Sequence, residues 1–239
     1  MSKPSLKTRQ IHRFLIFIIT PLLLTGCMSI HEAARRGNVA EVKRQLAWGA
    51  NPNTRTLAYR VAPLHEAAAF GNVKIVEILL EKRAKVNITN EGGETPLHYA
   101  TRHGHIKVME ILLENNADPS MKGTGCGTPM QWAARNGQIR PIETLLDFGV
   151  SVNQTGTGGR TALMEAVSHE DMEMVTFLLA NGADVNVTTS LGGGCSPLHI
   201  AARRDNVQIG RTLLEHGADP NYICEGQAIS QSFIEKLRK

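Results

Sequence analysis

Thr95-Pro96-Leu97-His98-Tyr99-Ala100 decides how this chain folds, because versions of it return along most of the sequence. They are Ser29-Ile30-His31-Glu32-Ala33-Ala34, Ala62-Pro63-Leu64-His65-Glu66-Ala67-Ala68, Thr128-Pro129-Met130-Gln131-Trp132-Ala133-Ala134, Thr161-Ala162-Leu163-Met164-Glu165-Ala166 and Ser196-Pro197-Leu198-His199-Ile200-Ala201-Ala202. The histidine position falls at 31, 65, 98, 131, 164 and 199, giving spacings of 34, 33, 33, 33 and 35. Six copies in phase indicate an array of stacked units, none of which can bury its apolar face alone.

The same pieces follow each copy. A short run of small residues ends at a Gly-Asn or Gly-His break, and a second apolar run ends in paired leucines: Leu79-Leu80, Leu112-Leu113, Leu145-Leu146, Leu178-Leu179 and Leu213-Leu214. A turn then follows, as in Asn51-Pro52-Asn53, Asp184-Val185-Asn186 and Asp219-Pro220-Asn221. Proline at the first helical position lacks an N–H that would have no partner there. Gly37, Gly71, Gly104 and Gly137 suit the left-handed residue that closes the first helix. Asn38, Asn72, Asp171 and Asn206 are the expected caps of the second. Glu170 and Asp205 replace that closing glycine, and Arg83 and Asn116 replace the later glycine before the turn. Glu and Arg tolerate left-handed geometry less well than Asn, so the fifth repeat is expected to be looser or locally altered.

These pieces resemble the ankyrin repeat, over six units from about Ser29 to Asn221. The resemblance implies an all-α solenoid of six stacked helix-turn-helix units joined by β-hairpin-like loops, starting near 29, 62, 95, 128, 161 and 196 within residues 27–221. Residues 222–239 are read as a C-terminal cap: the repeat dissolves, and Ala228 to Lys239 carry Ile229, Phe233, Ile234 and Leu237 at helical spacing.

The 239 residues are 42% hydrophobic, 20% charged and 5% aromatic, which excludes both a disordered chain and a multi-span membrane protein. The net charge is +4, but Lys3, Lys7, Arg9 and Arg13 lie in the first 26 residues with no acid among them. The rest of the chain carries 22 basic and 22 acidic residues, which removes global charge as an argument for nucleic acid. The apolar run Phe14 to Leu24 would rise about 16 Å as a helix, roughly half a bilayer core. Residues 1–26 are therefore read as a secretion signal. Leu24-Thr25-Gly26-Cys27 resembles the lipobox of bacterial lipoproteins, which implies lipidation of Cys27, and several acyl chains anchor effectively permanently. Met28 follows rather than Asp; by resemblance to Gram-negative lipoproteins, this places the chain on the outer membrane, facing the periplasm. A start at Met28 would yield an additional cytosolic form.

No catalytic constellation emerges. His31-Glu32 and His65-Glu66 open like a helical zinc motif, but Arg35 and Ala69 stand where its second histidine belongs. The repeated histidines have a structural role by resemblance, and Gln131 and Met164 replace them elsewhere. Gly123-Thr124-Gly125-Cys126-Gly127, Gly156-Thr157-Gly158-Gly159 and Leu191-Gly192-Gly193-Gly194-Cys195 lack the ending of a phosphate loop and read as turns. No serine sits in a Gly-x-Ser-x-Gly elbow, and the aromatics are too sparse for a stacking track. No metal or cofactor is expected. Cys126 reads as a turn residue. Cys195 and Cys224 fall in the loops of successive repeats, which leaves both a disulfide and unpaired thiols compatible with the sequence.

In ankyrin-like proteins the hairpin tips and the exposed face of the first helix form a concave protein-binding surface. The resemblance places its residues four and five positions after each histidine equivalent: Arg35 and Arg36, Ala69 and Phe70, Arg102 and His103, Arg135 and Asn136, Ser168 and His169, Arg203 and Arg204. These twelve positions hold six arginines, two histidines and no acid. Glu41, Glu77, Glu110, Glu143 and Glu173 fall on the second helices, towards the other side. The expected partner is a protein with an acidic surface, bound by the arginines with Phe70 as an apolar anchor. Tyr59, Arg60 and Arg160 extend the contact, and the chain is expected to be a monomer before it binds. The alternative is that the arginines are solvated or hold neighbouring acids. The chain resembles ankyrin lipoproteins that act as immunity proteins against type VI secretion toxins, including those attacking phospholipids. Rival readings are a scaffold for a periplasmic enzyme and a hydrolase of unfamiliar site.

Overall fold

A computed structural model describes residues 28–125, 127–190 and 194–238. Helices alternate short and long: α1 (Ile30–Arg35) and α2 (Val39–Ala47), α3 (Pro63–Ala69) and α4 (Val73–Glu81), α5 (Pro96–Arg102) and α6 (Ile106–Glu114). The series continues with α7 (Pro129–Arg135) and α8 (Ile139–Asp147), α9 (Ala162–Ser168) and α10 (Met172–Ala180), α11 (Pro197–Arg203) and α12 (Val207–Glu215), then a final α13 (Gln231–Arg238). Helices of six to nine residues are too short to persist alone in water, so packing must hold them. The first helices contact one another in sequence, and the second helices do the same behind them. This is the ankyrin-type all-α solenoid. None of these helices is long and apolar enough to cross a membrane.

Small and large residues divide the packing. Ala33, Ala67, Ala100, Ala133 and Ala166 are fully buried where the first helices approach closely. Leu79, Leu112, Leu145, Leu178 and Leu213, the first of each leucine pair, are fully buried in one continuous apolar cluster. Burial of each such side chain contributes roughly 1.5–3 kcal/mol.

The departures from glycine are accommodated. Glu170 and Asp205 adopt φ of 58° and 54°, as left-handed as Gly137 at 65°, and Arg83 and Asn116 sit at 64°. The fifth repeat is not altered in its helices: α9 and α10 have the lengths of α7 and α8. Asn206 Nδ2 donates to Glu170 Oε2 at 2.9 Å, a tie from the following repeat that offsets part of the backbone cost. Asn38, Asp171 and Asn206 cap the second helices as expected. Asn72 instead donates backwards, to Ala34 O and Arg35 O. His105 and Gln138, at the equivalent position, donate to Ala69 O and Arg102 O.

Two hydrogen-bond ladders stitch the repeats together. Along the hairpins, Tyr59 O accepts from Glu91 N, Gly92 O from Thr124 N, and Gly158 O from Ser190 N, each within 3.0 Å. At the opposite turns, Asn53 Oδ1 accepts from Lys85 N while its Nδ2 donates to Arg83 O. Asn87, Asn153 and Asn186 repeat this bridge one, three and four units on. Ser120 occupies the remaining position and bonds only within its own turn.

The chain beyond Asn221 keeps the pattern longer than its sequence suggests. Ile223–Cys224 (β1) and Gln227–Ala228 (β2) pair antiparallel, with Ile223 opposite Ala228 and Cys224 opposite Gln227, forming a further hairpin. The capping helix α13 consequently begins at Gln231 rather than Ala228. It packs on α12 through Phe233 and Leu237, where Gly210 makes room: a Cβ there would lie 2.7 Å from Leu237 Cδ2 and 2.9 Å from Phe233 Cζ.

Candidate functional site: the groove between first helices and hairpins

The repeated histidine builds the wall of the groove. His65 Nδ1 accepts from the Ala62 backbone at 3.1 Å, and Nε2 donates to Glu94 O of the next hairpin at 3.0 Å. His98 likewise accepts from Thr95 N and donates to Gly127 O. His199 reaches Tyr222 O, and His31 reaches Thr54 O. Each ring thus joins a helix start to the following loop, and at His65 and His98, where Nδ1 accepts from a backbone N–H, the arrangement requires a neutral imidazole. Burial reinforces it, lowering His65 to about 4 and moving His31, His98 and His199 in the same direction. Gln131 makes the same link without a titrating group, accepting from Thr128 N and donating to Gln154 O and Arg160 O.

The groove arginines are not a bare positive strip. Arg35 and Arg36 pair with Glu32, Arg102 with Glu94, Arg135 with Glu165, and Arg203 with Glu225. Arg160 also pairs with Glu165. A count restricted to the fourth and fifth positions after the histidine missed these carboxylates. Glu32 and Glu165 stand one position after it, on the same helical face as the residues three and four further on, so this signal was legible. Glu94 and Glu225 come from hairpins, where helical spacing gives no warning. The outer side is not an acidic strip either: Glu41, Glu77, Glu110 and Glu143 each pair with a cation three residues away.

Three centres follow along the groove. At the N-terminal end Arg35 lies 5.3 Å from the ring centre of Phe70, which is 50% exposed. The first hairpin tip presents Leu57 and Tyr59, both exposed, and both Tyr59 and Arg60 have left-handed backbone. In the middle Arg102 stacks over Trp132 at 3.9 Å, with Tyr99 at 5.5 Å. Asn90 joins Glu94 to the Tyr99 hydroxyl. His103 lies beside His105, with burial holding its pKa down. Further along, Glu165 is almost entirely buried, and Arg135 Nη2 and Arg160 Nε reach its two oxygens at 3.1 and 2.6 Å. His169 Nδ1 bonds Glu165 O at 2.9 Å. Arg204 makes no ion pair among the described residues.

Cys195 and Cys224 are joined by a disulfide that ties the loop of the sixth repeat to the last hairpin, with their Cα atoms 4.7 Å apart. Arg203 Nη2 lies 3.5 and 3.6 Å from the two sulfurs. Cys195, Cys224 and Glu225 are near enough together to be compared with a metal site. The bonded sulfurs and the adjacent guanidinium do not fit a cation there. Cys27, Cys126 and residues 1–26, read above as a signal, lie outside the described residues.

Two comparisons bear on this arrangement. The family profile described as ankyrin repeats (3 copies) matches residues 30–123 and 130–224, and one described as ankyrin repeats (many copies) matches 102–146. A similar solved structure is the crystal structure of the human ASB11 ankyrin repeat domain. It is 29% identical, with a TM-score of 0.71, over 87% of this chain and 96% of that one. Ankyrin repeats imply a scaffold that binds protein. With six helix pairs in register and both halves of the chain matched, this protein belongs to the ankyrin-repeat family.

Proposed function

We propose that this chain is a non-enzymatic, protein-binding ankyrin lipoprotein of the bacterial envelope. A lipid on Cys27 holds it at the periplasmic face of the outer membrane, and its groove binds and blocks a protein with an acidic surface. The observation that carries the binding reading is a groove whose first helices are tied to the following loops by His31, His65, His98, Gln131 and His199. It presents Phe70, Tyr59 and Arg204 to solvent while Arg35, Arg36, Arg102, Arg135, Arg160 and Arg203 are held in place by carboxylates of the chain. Arginine oriented in advance loses less freedom when it meets a partner carboxylate, and an exposed aromatic anchor is a common centre of binding energy. The anchor reading rests on Leu24-Thr25-Gly26-Cys27 after a basic and apolar leader.

The finer reading is immunity: stoichiometric occlusion of an antibacterial toxin delivered by type VI secretion, of a kind that includes phospholipases. It is supported by the joint resemblance to lipoproteins and to ankyrin repeats. Affinity capture with the full chain from an outer-membrane fraction tests it. The expected product is a toxin whose killing of co-expressing cells stops when this chain is present. A captured protein without toxicity, or toxicity unaffected by the chain, overturns the immunity reading.

A further inference from the structure

We propose that the cavity between the fourth and fifth repeats is a socket for one carboxylate, taken from an aspartate or glutamate side chain of the partner. The proposal rests on the protein-binding reading above and deepens it. The cavity, about 160 Å³ in volume, is lined by Gly127, Gln131, Arg135, Thr157, Arg160 and Glu165 among others. A buried carboxylate is unstable in a protein unless it is paired, and Glu165 answers this with two guanidinium groups rather than one. Two cations against one anion leave a surplus positive charge facing a partly enclosed space, where water screens it less than on an open surface.

The hydrogen-bond inventory points the same way. Arg160 is fixed by Nε to Glu165 Oε1 and by Nη2 to Met164 O and the Ser168 hydroxyl. Its Nη1 donates to no described residue, and neither does the Thr157 hydroxyl. Gln131 is already spent on its loop: its amide oxygen accepts from Thr128, and its NH2 donates to Gln154 O and Arg160 O. The unbonded Arg160 Nη1 and Thr157 hydroxyl are donors beside a positive surplus, which suits a monoanionic group with two acceptor oxygens. A cation would meet the surplus charge.

The test titrates the full chain, purified in detergent, with acetate and separately with acetamide, which has the same shape without the charge. Amide signals of Gly127 and Thr157 and the Nε–H of Arg160 are followed by NMR at constant ionic strength. Acetate should give saturable shifts at these signals, acetamide none, and Arg160→Gln should weaken acetate binding about tenfold. That variant leaves Glu165 paired with Arg135; Thr157→Val, which removes only an unbonded hydroxyl, gives a second, smaller loss in a chain of unaltered fold. Shifts that do not saturate, equal shifts with acetamide, or wild-type acetate binding in both variants overturn the socket. Failure of the groove reading looks different: acetate still binds, but partner capture is unchanged by Phe70→Ala combined with Arg204→Glu.

Discussion

His65 and His98 can make their bridges only while neutral, because Nδ1 accepts from a backbone N–H as Nε2 donates to a carbonyl, and His199 links Ser196 to Tyr222 O in the same place. Their folded pKa values, and that of His31, lie below the ordinary value of about 6.5. As pH falls, the unfolded chain therefore takes up protons first. The stability these residues contribute is complete above about pH 6.5 and is lost progressively as pH falls towards the folded value, which for His65 is about 4. Melting temperature should begin to drop near pH 6.5. His98→Gln, copying the bridge that Gln131 already makes, should flatten part of that fall. A melting temperature constant from pH 7.5 to 5, or an undiminished fall in the variant, would contradict the bridging role. The arginines teach a related lesson at this scale. Reversing Arg102, Arg135 or Arg203 would set like charges against Glu94, Glu165 or Glu225, so such variants report on folding before binding.

At the scale of the element, the turn asparagines give a sharper test of what holds one unit to the next. Asn53, Asn87, Asn153 and Asn186 bridge to the following turn and Ser120 does not. By the same spacing, Ser120→Asn places its amide against Gly149 O and Ser151 N. It should stabilise the chain by about 1 kcal/mol, and Asn153→Ala should cost a similar amount, measured by urea unfolding. Neither effect appearing would mean the ladder is idle. Helix starts, left-handed closures and paired leucines were legible in the sequence because each depends on residues within one unit. The Thr128 and Gln131 bridge was legible too, since Gln offers the same donor and acceptor as neutral His. The last hairpin was not: Tyr222-Ile223-Cys224 carries none of the Thr-Pro-Leu-His chemistry that marks the others, and it is held by His199 and a disulfide from outside its own segment. The groove carboxylates on hairpins were hidden for the same reason, being brought to the arginines by stacking rather than by helical spacing.

Across the whole molecule, a stack in which each repeat touches only its neighbours has stability that varies along its length. The Cys195–Cys224 bond closes a loop with a sequence separation of 29 residues at the C-terminal end. A loop of that length restricts the unfolded chain by about 3.5 kcal/mol. Cys224→Ser should lose hydrogen-exchange protection chiefly in α11, α12 and α13 while α3 to α6 keep theirs; uniform loss would show one cooperative unit, and no loss would show a bond without structural effect. The groove runs the length of this stack, so partner binding should depend on residues far apart in sequence that share its face. Phe70 and Arg204 lie at opposite ends and are fixed by no buried carboxylate, which makes them separable from folding. The decisive measurement is calorimetric titration of the captured partner into wild-type chain, into Phe70→Ala with Arg204→Glu, and into Lys82→Gln at an exposed turn away from the groove. The groove variant should bind at least about tenfold more weakly, with a shallower salt dependence, while Lys82→Gln binds as the wild type does. Equal affinity in all three, or loss in Lys82→Gln alone, would contradict the groove as the docking face.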